Sequence, residues 1–204
     1  GLEADVEVNV IAPGGSMALG EFHIDFVDLT HSIPEMQALM ITTPYGRVLH
    51  SGDWKLDPDP VVGPASNLAK MEKISEVGVL AMVCDSTNVF KEGVSGSELA
   101  VQDSLDALLK GIPSGRVAVT TFASNIARLK TIAKVAERND RHVVLVGRSL
   151  YRMTEAAKRA GYLNDLPSFI DERDAGHIPR DKLLLLCTGS QGEPRGAMAR
   201  IARS

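Results

Sequence analysis

The chain has 204 residues, 44% hydrophobic and 24% charged, with 22 basic against 26 acidic side chains and a formal net charge of −4. That length holds one large domain or two small ones and buries a real core, and the composition excludes wholesale disorder and collagen-like repeats. The acidic balance argues against a surface coated in basic patches and leaves room only for a local basic groove.

The first half reads as strands. Pro13-Gly14-Gly15-Ser16 is turn chemistry. Glu21 to Phe26 then alternates polar and apolar, with Phe22, Ile24 and Phe26 expected on the buried face and His23 and Asp25 on the wet one. Ala38 to Thr42 and Arg47 to His50, joined by Pro44-Tyr45-Gly46, predict a hairpin. Leu68 to Val77 predicts a helix, and Val79 to Cys84 a buried strand running into Asp85. The rhythm changes near residue 95. Ser95-Gly96-Ser97-Glu98 has the spacing of a capping box, and Val101, Leu105, Leu108, Leu109 and Ile112 fall on one helical face. Strand and helix then alternate: Val117 to Thr121, a helix capped by Ser124, His142 to Val146, a helix with Leu150, Met153 and Ala157 on one face, Leu183 to Cys187, and a helix from about Pro194. This pattern predicts an α/β chain in two parts, a strand-rich lobe over 1–95 and a doubly wound parallel unit over 96–204.

No apolar run approaches the ~18 residues of a membrane span. No basic-then-apolar leader is visible, and the opening and closing residues read as part of a longer protein. Cys84 and Cys187 both lie in apolar runs and are expected as buried free thiols of a reducing, cytoplasmic compartment.

In an open parallel sheet, ligands bind in the loops after the carboxyl ends of the strands. Here those loops are Thr121-Phe122-Ala123-Ser124-Asn125, Val146-Gly147-Arg148-Ser149 and Thr188-Gly189-Ser190-Gln191-Gly192-Glu193. Their hydroxyls, glycines and N–H groups suit a phosphate. Equally, Ser and Gly here serve as helix caps and tight turns. None matches a P-loop or a dinucleotide fingerprint. In the first half, His31, Asp53 and Asp85 each follow a strand, and one His with two carboxylates suits zinc or manganese. The plainer alternative is that each is a satisfied polar or turn residue. His142 and His177 have no partner motif, and Trp54 reads as a core cover.

Several strings together resemble a known family. His31-Ser32-Ile33-Pro34, Thr43-Pro44-Tyr45-Gly46 and His50-Ser51-Gly52-Asp53-Trp54-Lys55 resemble the middle of a metallo-β-lactamase-fold nuclease. Cys84-Asp85-Ser86-Thr87-Asn88, Thr121 to Asn125, Val146 to Ser149 and Thr188-Gly189-Ser190-Gln191-Gly192-Glu193-Pro194 resemble its β-CASP branch. The combination is similar to the ribonuclease J family, in wording similar to its alphaproteobacterial members, along essentially the whole chain. The resemblance implies a partial αββα lobe followed by a β-CASP domain. It implies a cytoplasmic hydrolase that degrades RNA from a 5′-monophosphate end and also cuts internally, and that is a homo-oligomer. It implies His31 and Asp53 as metal ligands, Asp85 as an acidic residue beside the metals, and two zinc ions, or manganese, per complete site. By inference from their loops, Ser124, Asn125, Arg148, Ser149, Ser190 and Gln191 would line the RNA channel.

The sequence also departs from the family. The His-x-His-x-Asp-His motif that supplies most zinc ligands is absent, as are the last two β-CASP histidines, and Glu35-Met36 stands where Asp-Ser is expected. Two ligands do not make a tight dinuclear site. This chain alone is therefore expected to be inactive and to bind no metal tightly. Two other classes stay open: a non-catalytic RNA- or nucleotide-binding α/β module, and a small-molecule hydrolase of the same fold. The first lobe, lacking partner strands, is expected to leave an apolar face and sheet edges uncovered.

Overall fold

The computed structural model describes residues 6–203. No helix among them is long and apolar enough to cross a membrane. They divide into two compact units, one running to Ser95 and the other from Gly96, with the short segments Ser32–Pro34 and Asp59–Gly63 grouped with the second.

The first unit is a five-stranded sheet in the order β1-β2-β3-β4-β5 with one helix. Its strands are β1 (Ser16–Leu19), β2 (Phe22–Asp28), β3 (Gln37–Thr43), β4 (Gly46–His50) and β5 (Ala81–Val83), and the helix is α1 (Leu68–Val77). The first four strands pair antiparallel, and β5 pairs parallel to β4. The β3–β4 hairpin turns at Pro44-Tyr45, closed by the Thr43–Gly46 pair, as the sequence predicts. Strand β1 went unread because its residues alternate too briefly to rise above the preceding turn signal.

Two expectations for this unit are corrected. The buried face of β2 is not the one carrying Phe22, Ile24 and Phe26. Val27 is fully buried, and its core neighbours are Leu29, Ala38, Met40, Leu49 and Ile74. The cause is α1: Ile74 and Met71 pack on the Val27 face, and the Lys70 ammonium pins the helix to the Gly14 and Phe26 carbonyls at 2.8 and 2.6 Å. Pairing sets Met17, Ile24, Ile41 and Val48 in one row on the opposite face, with Phe26 and Leu39 alongside. These residues are half-buried, while Phe22 and Leu19 are 50% and 62% exposed. The second correction concerns Val79 to Cys84. Its strand is three residues long, lies at the sheet edge and is exposed throughout. Cys84 is accordingly exposed, and only Cys187 is a buried thiol. An apolar run marks a strand that wants cover, not one that has it.

The second unit holds a three-stranded parallel sheet in the order β6-β8-β7. Its elements are α2 (Glu98–Lys110), β6 (Val117–Thr120), α3 (Ile126–Arg138), β7 (His142–Val146), α4 (Arg148–Arg159), β8 (Leu183–Cys187) and α5 (Ala197–Ile201). Alternation in β7 and β8 feeds two cores. Val143, Leu145, Leu184 and Leu186 face Leu109, Ile126, Leu129, Ile132 and Leu150. Val144, Val146, Leu183 and Cys187 face Ala197, Ile170 and Ile201. Helices cover both faces, so the α/β, parallel-sheet expectation for this half holds.

Two helix starts differ from expectation by small steps. Ser97, not Ser95, caps α2 by accepting from the Ala100 N–H at 3.0 Å. Asn125, not Ser124, caps α3 by accepting from the Arg128 N–H at 2.9 Å. In each case the residue adjoining the first helical turn wins, because only its oxygen reaches the third N–H. Glu98, freed of a box role, binds Arg128 through two hydrogen bonds of 2.9 and 3.0 Å and ties α2 to α3. On α2, Leu108 is 65% exposed, so the apolar stripe centres on Leu109 and Leu105. Buried Arg141 was not singled out by sequence. Its guanidinium donates to the carbonyls of Gly115, Ile112 and Leu183 at 2.9, 2.7 and 3.2 Å and locks the amino ends of the strands.

Two outcomes are expected. Leu186→Ala empties a fully buried site and should cost about 2–5 kcal/mol in urea unfolding with an unchanged slope. The uncovered β-sheet face should make the 204-residue chain self-associate in light scattering, and Ile41→Lys should shift it toward monomer. A monodisperse wild-type monomer would contradict the second expectation.

Candidate functional site

In the first unit, buried hydroxyls join three loops. The Thr30 hydroxyl donates to the Lys55 carbonyl and accepts from the Asp57 N–H at 3.0 Å, while the Lys55 N–H returns to the Thr30 carbonyl at 2.9 Å. Ser51 is 2% exposed; its N–H donates to the Val83 carbonyl at 2.9 Å and its hydroxyl accepts from the Asp85 N–H at 3.1 Å. The segment from Ser51 to Lys55 is thereby tied to Thr30, the residue before His31, on one side and to Asp85 on the other.

Asp85 accepts from the Thr87 hydroxyl and N–H at 2.5 and 3.0 Å. These bonds hold its carboxyl below the usual carboxylate range, against an opposing push from desolvation; the nearby His31 and the Trp54 backbone N–H act in the same lowering direction. Asp85 is thus an anion at neutral pH and sits within electrostatic reach of His31. A cavity of about 450 Å³ lies against Asp85, between Trp54, Lys55, Cys84 and Asn88. Asp53 is exposed on the turn after Gly52 and does not line this cavity. Trp54 packs against the core, as expected, and donates from its indole to the Cys84 sulfur at 3.3 Å.

Among the described residues, no group of three or more His, Cys, Asp or Glu side chains could hold a metal ion. His31 and Asp53 therefore do not make a metal centre with the donors of this chain's described residues.

In the second unit, parallel pairing brings the loops after β6, β7 and β8 to one edge of the sheet. The loops after β7 and β8 touch through glycines. Gly147 lies at φ +126°, and a Cβ there would stand 3.3 Å from the Thr188 hydroxyl. Gly189 lies at φ +120°, and a Cβ there would stand 2.9 Å from Met198 Cβ. The β8 loop is closed internally by Gln191 N–H to Glu193 carboxylate at 3.0 Å and Met198 N–H to the Thr188 carbonyl at 2.9 Å. Between these loops is a cavity of about 550 Å³ lined by Gly147, Arg148, Ser149, Arg152, Thr188, Arg195, Ala197 and Arg200. Of the candidate RNA-contacting residues, Arg148 and Ser149 line it, whereas Ser124, Asn125, Ser190 and Gln191 do not. Ser124, Ser190 and Gln191 are exposed nearby in sequence, and the Asn125 oxygen is occupied as a helix cap. Sequence reading missed Arg152, Arg195 and Arg200. The only signal was the one-turn spacing from Arg148 to Arg152 and an arginine-rich tail, neither distinctive by itself.

Residues 114–204 match the sequence family described as "Ribonuclease J, beta-CASP domain". The chain is 43% identical over 200 residues to Ribonuclease J of Sinorhizobium meliloti, covering 98% of the chain and 35% of the relative. It is 37% identical over 193 residues to Ribonuclease J of Thermus thermophilus, covering 94% of the chain and 34% of the relative. The chain belongs to the ribonuclease J family. It spans about a third of the length of these curated relatives. A crystal structure of a protein of unknown function from Enterococcus faecalis V583 superposes with a TM-score of 0.62 at 16% identity, over 91% of this chain and 46% of that one, and shares the fold. Within the ribonuclease J family assignment, the β-CASP match covers β6 to α5, the strands and helices that carry the arginine-lined cavity.

Thr87→Val removes the hydroxyl bond to Asp85 and should raise its carboxyl pKa toward the ordinary 3.8, as a carboxyl-carbon NMR titration reads. Because a depressed carboxyl contributes stability above its unfolded pKa that is lost as pH falls through the folded value, the variant should lack that contribution near neutral pH and its stability should fall less than the wild type's as the pH is lowered through the carboxylate range.

Proposed function

We propose that this chain is part of a metal-dependent ribonuclease that hydrolyses RNA phosphodiester bonds, both from a 5′-monophosphorylated end and internally, and works as a cytoplasmic homo-oligomer. The observation that carries this reading is the placement of Asp85 within electrostatic reach of His31, on segments fastened together through Ser51 and Thr30, in a chain of the ribonuclease J family.

In this reading Asp85 is a positioning residue. Its charge, held by Thr87, fixes the orientation and tautomer of an imidazole beside it and favours a protonated state during turnover. His31 and Asp53 contribute donors to a zinc or manganese centre that is completed by donors outside the described residues, since those do not suffice. Arg148 and Ser149, with Ser124, Asn125, Ser190 and Gln191 at the same strand ends, contact the RNA. The 204-residue chain alone is then inactive. One observation favours a second reading, a non-catalytic RNA-binding module: the arginine-lined cavity lies wholly in the second unit and needs no metal.

The test uses the full-length protein that contains this chain, with zinc or manganese supplied, on a 5′-monophosphorylated RNA. His31→Ala should abolish degradation. Asp85→Asn should lower the rate by roughly 10–100-fold and shift the pH–rate profile. Equal rates in wild type and His31→Ala would remove His31 from the site. No degradation by the wild type, with RNA still bound, would favour the binding module.

A further inference from the structure

The cavity at the carboxyl ends of β7 and β8 has an unusual charge balance. Arg148, Arg152, Arg195 and Arg200 line it, and no carboxylate does. Arg200 is held by a bidentate bond to Glu172 at 2.7 and 3.0 Å. No ion pair with an acidic residue is found for Arg148, Arg152 or Arg195 among the described residues. Elsewhere in this unit, most cations with a nearby acid use it: Arg128 with Glu98, Lys130 and Lys134 with Asp165, and Lys182 with Asp140. Arg203 extends the same positive surface, lining an adjoining hollow with Arg195 and Arg200.

Gathering like charges in a concavity costs free energy unless an anion is bound there. The residue type narrows the anion. Guanidinium forks match planar or tetrahedral oxyanions bidentately, and phosphate foremost. The loops add neutral donors, the Ser149 and Thr188 hydroxyls, and α4 begins at Arg148 with no side chain capping its N-terminal N–H groups. A space of about 550 Å³ is more than one phosphate fills.

We propose that this cavity grips two or more neighbouring phosphate groups of an RNA strand, through Arg148, Arg152 and Arg195, independently of any metal. The proposal rests on the ribonuclease reading for its choice of polyanion, and adds to Arg148 of the quoted motifs two arginines outside them, Arg152 and Arg195. Arg200 acts as an adjustable fourth, since an incoming phosphate competes with Glu172 for the same guanidinium.

The experiment reads binding and not cleavage. A fluorescent 5′-hydroxyl oligoribonucleotide is titrated with the 204-residue chain, at several salt concentrations, in chelator. Pyrophosphate is the competitor. Wild type should bind, pyrophosphate should displace the RNA, and Arg148→Gln/Arg195→Gln should weaken binding by at least about tenfold. For the double variant, the slope of log affinity against log salt should flatten by about 1.4, near 0.7 for each lost phosphate contact on a single strand. Arg116→Gln, at the opposite end of β6, should bind as wild type and controls for overall charge. Equal affinity and slope in wild type and double variant would overturn the proposal. So would pyrophosphate binding that leaves the RNA in place, which would assign the cavity to free phosphate compounds. Circular dichroism of the double variant separates lost binding from lost fold. A failure here leaves the His31 experiment standing, and a failure there leaves this one standing.

Discussion

The second unit depends on one strand, β8. Leu183–Cys187 has a parallel neighbour on each side, and its residues are buried or nearly so on both faces. A parallel strand cannot be reached by a tight turn, so each connection must cross over the sheet and carry covering structure with it. Five consecutive apolar residues therefore dictate more than a strand. They demand helices on both faces, and these appear as α2, α3 and α4 on one side and α5 on the other. They also send the loops after all three strands to the same edge. The arginine-lined cavity is a consequence of that pairing: β7 and β8 end together at Val146 and Cys187, and their loops leave side by side.

The first unit solves a different problem. Its loops are not gathered by strand polarity but by small buried hydroxyls. Thr30 and Ser51 are 5% and 2% exposed, and each joins segments far apart in sequence. A buried hydroxyl without partners is costly, so such residues tolerate few alternative loop geometries. Thr30 reaches Lys55, Asp57 and Ser66, and Ser51 reaches Asp85. The hydroxyls thereby do for His31 and Asp85 what glycine contacts do for Arg148 and Arg195. In both places the chemically interesting side chain is carried by a backbone whose freedom has already been removed.

Much of this was legible from the residues. The bounds of β7, β8 and α1 are those the sequence predicts, because each is a clean apolar pattern between turn or cap residues. What failed was inference about cover. Phe22, Ile24 and Phe26 make a more apolar row than Val27 with its polar neighbours, yet the helix packs on Val27. Strand pattern tells which residues share a face, not which face another element occupies. The same holds for Val79 to Cys84, whose apolar run lies exposed at an edge. The candidate site divided similarly. Residues inside recognisable strings, such as His31, Asp85 and Arg148, could be singled out in advance. Arg152, Arg195 and Arg200 could not, because three arginines scattered over some fifty positions acquire meaning only when two loops fold against each other.

The choice of arginine over lysine in that cavity follows from the same constraint. A lysine ammonium is a point charge on a flexible stem and must be ordered each time it binds. A guanidinium is a rigid planar fork, and Arg200, held by Glu172, presents its donors already ordered. Pre-ordering lowers the entropic cost of binding, which otherwise consumes much of a charge-assisted bond. It also explains why a chain of net charge −4 needs no broad basic surface. The field that matters to a phosphate is local, within about one Debye length of ~8–10 Å at ordinary salt. Inside that radius the lining arginines outweigh acidic side chains placed elsewhere. What the fold contributes is therefore less the amount of positive charge than its concentration at one edge of the β6-β8-β7 sheet, where the loops offer hydroxyls and free N–H groups beside it.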